Sequence, residues 1–88
     1  MNPWLDRLAG AIAPADPPHL SRDEAVLILE LAGQAARSTG ARQFAPLATY
    51  LAGRAAAGGD EKQRLAALRA AVEAARDAGA AEEPLGID

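Results

Sequence analysis

The chain has 88 residues, a net charge of −3, one histidine and no cysteine. That length leaves room for one domain with one core, and the missing cysteines exclude disulfides and thiolate metal sites. The acidic balance argues against general nucleic-acid binding, which needs a basic face.

The first predicted helix is "PWLDRLAGAI", residues 3–12, with Pro3 tolerated in the first turn. Trp4, Leu5, Leu8 and Ile12 form its apolar stripe, and a helix this short must dock to persist. "APADPPHL" then breaks the pattern, because three prolines in five residues cannot continue a helix. His19, within that break, reads as a surface loop histidine with no chemical role.

Ser21 opens the strongest element. Ser-Arg-Asp-Glu fits a capping box, with Ser21 as N-cap and Glu24 returning a bond to the cap backbone. At 100° per residue the core face is predicted to comprise Ala25, Ile28, Leu29, Ala32, Ala35 and Ala36. Leu27 then falls in the polar stripe with Val26 beside it, which marks Leu27 as a candidate partner contact. Gly40 is placed to end this helix in the left-handed conformation.

A third helix is predicted from Pro46 to Ala57, ending at Gly58-Gly59. Alanine supplies 24 of the chain's 44 apolar residues, and this helix is especially poor in large side chains. Leu47, Tyr50, Leu51 and Ala55 make its larger face; Ala48, Ala52, Gly53, Ala56 and Ala57 keep the other sides thin. Thin sides let another backbone approach closely. Gly53 costs about 1 kcal/mol in a helix interior, so a contact at that position is expected to offset it.

The last predicted helix starts at Asp60, whose side chain and Gln63 fit a second capping box. Leu65, Leu68, Val72 and Ala75 form its seam, and Gly79 stops it. The whole is an all-α, small four-helix bundle: one short N-terminal helix and three longer ones over residues 1–79. Residues 80–88 are expected to be a disordered acidic tail.

No residue set suggests catalysis. No hydroxyl has a basic partner at a local spacing, no carboxylate pair stands on an apolar face, and no metal or cofactor is called for. The expectation is a protein that is not an enzyme. Between Leu31 and Gly59 there is no carboxylate, but there are Arg37, Arg42 and Arg54. "RSTGAR", residues 37–42, joins two helices with an arginine at each end, close to a helix amino end where an anion is favoured. Leu27, Arg37, Arg42, Pro46, Tyr50, Gly53 and Arg54 are therefore the candidate contacts to a partner or an anion. No apolar run approaches the ~20 residues of a membrane span, and the N-terminus lacks a signal peptide's basic-then-apolar order. A cytoplasmic protein with no membrane partner is expected.

The stretch "ARQFAPLATYLAGRAAAGG" resembles a small uncharacterised actinobacterial domain whose pattern reads Arg-Pro-x-Ala-Pro-Leu-Thr-x-Phe-Leu-x-Gly. Arg42, Ala45, Pro46, Leu47, Tyr50, Leu51 and Gly53 match that pattern or replace it conservatively. Gln43 and Ala48 stand where the family commonly has Pro and Thr, and Ser38 lies near where a His is common. Members of this family stand alone or form a tail on molybdenum-cofactor guanylyltransferase-like proteins. The resemblance implies a non-catalytic accessory role in molybdopterin nucleotide biosynthesis or molybdoenzyme maturation, through contact with such a protein. Two alternatives stand beside it: direct binding of a phosphorylated small molecule by the Arg37–Arg42 loop, and a structural homodimer joined through the alanine-rich faces.

Overall fold

The computed structural model describes residues 2–78. The helix stop expected at Gly79 and the acidic tail 80–88 lie outside the described residues. Four helices follow one another: α1 (Pro3–Ile12), α2 (Arg22–Thr39), α3 (Phe44–Ala56) and α4 (Glu61–Ala78). Among the described residues there is no strand, and the all-α class read from periodicity is the one observed.

Local chemistry explains the boundaries. Asn2 caps α1, its side-chain oxygen accepting from the N–H groups of Trp4 (2.9 Å) and Leu5 (3.1 Å). Both predicted capping boxes are present. Ser21 Oγ accepts from Glu24 N–H at 3.1 Å while Glu24 Oε1 accepts from Ser21 N–H at 3.3 Å. Asp60 Oδ1 accepts from Gln63 N–H at 2.8 Å while Gln63 Oε1 accepts from Asp60 N–H at 2.9 Å. Gly40 ends α2 at φ 74°, its N–H reaching Ala36 O. The third helix begins two residues before Pro46. That proline sits in the first turn, where its missing N–H has no intrahelical acceptor to lose.

The core is formed by Leu31 of α2, Ala52 of α3, and Leu68 and Val72 of α4. Leu27, Ile28, Ala48, Ala71 and Ala75 pack around it. The three longer helices pack against one another, whereas no Cα of α1 lies within 8 Å of a Cα in any of them. The predicted docking of α1 is looser than expected: Leu5 of its apolar stripe is half-buried, but Trp4 and Ile12 are 61% and 71% exposed.

The predicted inner face of α2 also differs from the observed one. Glu24, Leu31 and Ala35 are buried with Leu27 and Ile28 beside them, while Leu29 is 73% exposed. Periodicity weighs alanine and leucine alike, but burial free energy follows apolar area. The face carrying Leu27 and Leu31 removes more area from water than one made mostly of alanine. On α3 the thin side is the inner one: Ala52 and Ala56 are buried, and the large residues point out. Ala52 and Ala56 are thereby taken up inside the monomer.

Candidate functional site

The outer side of α3 brings the larger candidate contacts together. Leu47, Tyr50, Leu51 and Arg54 follow at i, i+3, i+4 and i+7, so one helical face presents all four. Leu47 is 39%, Tyr50 66% and Leu51 65% exposed. The Arg54 guanidinium lies 5.9 Å from the Tyr50 ring centroid, within cation–π range. Pro46, exposed in the first turn, lies at the amino end of this helix. The alanines opposite allow α3 to lie close to α2 and α4, so the core takes the small side chains and solvent takes the large ones.

The remaining sequence-predicted residues separate from this patch. Leu27 packs against the core and is half-buried, because α2 is turned away from its predicted orientation. Gly53 is exposed, and a Cβ built on it meets no atom within 4 Å. The contact expected to offset its helical cost is absent. Arg37 folds back along its own helix: its Nη2 donates to Gln34 Oε1 at 3.5 Å, and its Nη1 would lie 3.0 Å from a Cβ at Gly33. Arg42 is exposed in the turn before α3, which begins with no side-chain cap. Among the described residues no hydrogen-bonded group bridges Arg37 to Arg42. Thr39 steadies the turn between them, its hydroxyl donating to Ala35 O at 2.7 Å and accepting from Ala41 N–H at 3.3 Å.

A second feature was not legible as a site. A cleft of 690 Å³ runs between α1, the loop after it, and the amino ends of α2 and α4. Leu5, Leu8 and Ile12 form one wall, and Asp16, His19 and Leu20 stand on the loop opposite. Glu24 and Arg64 also line it. Glu24 is 7% exposed; Arg64 gives it two hydrogen bonds and gives a third to Gly59 O at 2.8 Å. The bonds from Arg64 hold the Glu24 carboxyl below its ordinary pKa, against the opposing effect of burial, with further help from the Ser21 N–H. The signal in the sequence was the spacing of Glu24 to Leu27, Ile28 and Leu31. A carboxylate on that stripe needs a buried partner.

Among the described residues no group of three or more His, Asp or Glu side chains is placed to hold a metal ion. None of the described helices is long and apolar enough to cross a membrane. The family model for a domain of unknown function, DUF6457, matches residues 1–84. No curated protein and no solved structure is significantly similar to the chain.

Proposed function

The chain belongs to the DUF6457 family, a domain of unknown function, and we propose that it is a non-catalytic accessory domain that binds another protein through the outer face of α3. One observation carries this reading. Leu47, Tyr50 and Leu51 turn a contiguous apolar surface to water, with Arg54 laid across the tyrosine. Aromatic and arginine side chains at the centre of a patch are the usual anchors of protein interfaces. Arg54 gives the patch a positive charge beside Tyr50, and α3 itself carries no carboxylate. The complementary partner surface is apolar at its centre and acidic at its rim.

Hydroxyl placement supports a non-catalytic role. Ser21 is spent in a cap, Ser38 accepts from Gln34, and Thr39 and Thr49 donate to Ala35 O and Pro46 O. The resemblance of Arg42, Ala45, Pro46, Leu47, Tyr50, Leu51 and Gly53 to the actinobacterial domain points to the partner. On that resemblance we assign a molybdenum-cofactor guanylyltransferase-like protein or a molybdoenzyme, met in the cytoplasm.

The test is capture of a purified molybdenum-cofactor guanylyltransferase by the immobilised domain. Wild type should retain it, and Tyr50→Asp with Leu51→Asp should lose it at an unchanged melting temperature, since both sites are exposed. Arg54→Glu should weaken capture and remove part of its salt dependence. Failure of wild type to bind removes the assigned partner. Equal binding by the folded double variant removes the face.

A further inference from the structure

We infer that the cleft between α1 and the amino ends of α2 and α4 is a binding site for a small amphiphilic cation, an apolar group ending in an amine. The site is separate from the α3 face and does not depend on the role proposed for it. Its volume, 690 Å³, falls within the range of about 300–1,000 Å³ typical of small-molecule pockets. Leu5, Leu8, Ile12 and Leu20 give it apolar walls. No Cα of α1 comes within 8 Å of a Cα in another helix, and the space between them is the cleft that Leu5, Leu8 and Ile12 line from one side.

Charge decides the ligand class. Arg64 is the one guanidinium on the lining, and it faces Glu24 through Nε–Oε2 at 3.0 Å and Nη2–Oε1 at 3.3 Å, with Nη1 committed to Gly59 O. Its positive charge is already matched, so an anion entering the cleft would meet a neutralised pair. Asp16 adds a carboxylate that lines the cleft, is exposed, and has no ion-pair partner among the described residues. With Asp6 on α1 and His19 beside Asp16 on the loop, the lining holds three carboxylates, one guanidinium and one imidazole, so the cleft offers hydrocarbon along its length and an excess of negative charge. A protonated amine on an apolar chain satisfies both, with the chain against α1 and the amine toward Asp16.

Hexylammonium, hexanol and hexanoate share one chain length and differ in the charge of the head. Titrated into the ¹⁵N-labelled full chain, hexylammonium should shift the amides of Leu8, Ile12 and Leu20 saturably. Its apparent affinity should exceed those of hexanol and hexanoate by about three- to fivefold, the range of a solvent-accessible ion pair, and should fall as salt is added. Asp16→Asn, on an exposed loop position, should bring hexylammonium down to the affinity of hexanol without changing helical circular dichroism. Equal binding of all three probes, tighter binding of hexanoate, shifts confined to residues away from the cleft, or no saturable shift at all would each overturn the assignment. So would an Asp16→Asn variant that binds hexylammonium like wild type.

Discussion

Arg64 on α4 grips Glu24 on α2 through two hydrogen bonds, 3.0 and 3.3 Å long, between residues forty positions apart in the chain. The same guanidinium ties down the Gly59 carbonyl in the turn before α4, and the same carboxylate closes the capping box of α2. The starts of two helices and one turn are thereby fixed to a single buried charge. Every polar side-chain atom buried among the described residues has a partner, so this end of the bundle holds its charge without leaving an orphan.

Acid should loosen this junction. Glu24 has a lowered pKa because Arg64 and the Ser21 N–H bond its charged form more strongly than burial opposes it. A group with a depressed folded pKa contributes stability above its unfolded value and loses that contribution as the pH falls through the folded value. Urea unfolding between about pH 7 and pH 3 should show stability declining below the ordinary carboxylate range. Glu24→Gln should start less stable and decline less steeply. Parallel curves for the two proteins would show that another group carries the acid response.

Arg64→Leu should destabilise the protein far more than Arg69→Leu. The first strands a nearly buried carboxylate, whereas Arg69 is exposed on the solvent side of α4. Thermal melts of the two variants at neutral pH give the comparison, and Arg64→Leu/Glu24→Leu should recover much of the loss.

The two capping boxes differ in what surrounds them. Ser21→Ala removes the bond to Glu24 N–H and should cost about 1 kcal/mol. It should also flatten the acid response, because losing the Ser21 hydroxyl brings the folded pKa of Glu24 back toward its unfolded value and shrinks the difference that makes stability depend on pH. The Asp60 box is exposed on both partners, so Gln63→Ala should stay within about 0.5 kcal/mol of wild type. Urea midpoints measure both.

Glycine substitutions inside α3 and at the end of α2 should have opposite signs. Gly53→Ala places its Cβ in open space within a helix and should stabilise by about 1 kcal/mol. Gly40→Ala forces a side chain into φ 74° and should destabilise by about 1 kcal/mol or more. Melting temperatures moving the same way would contradict the placement of one of them.

The alanine side of α3 should tolerate no enlargement. Ala52→Leu inserts three carbons where Leu31, Leu68 and Val72 already meet and should cost about 1–3 kcal/mol. Leu51→Ala, on the exposed face, should leave the melting temperature nearly unchanged while weakening capture of the partner.

What the sequence determined by itself was local. Ser21 with Glu24, Asp60 with Gln63, and Gly40 set helix ends through bonds and dihedrals spanning a few residues, so their identities sufficed to place them. The seam of Leu68, Val72 and Ala75 was also readable, because large and small residues alternate there with little ambiguity of face. Tertiary structure decided which side of α2 turned inward, since that depended on the combined volume of Leu27 and Leu31 against the narrow flank of α3. It decided that the slim side of α3 would serve the core and leave Tyr50 and Leu51 outside. It left α1 standing off from the bundle, opening a cleft that no stripe of apolar residues could foretell. It also gave Glu24 its second role, because a carboxylate's partner forty residues away is chosen by the packing of two helices.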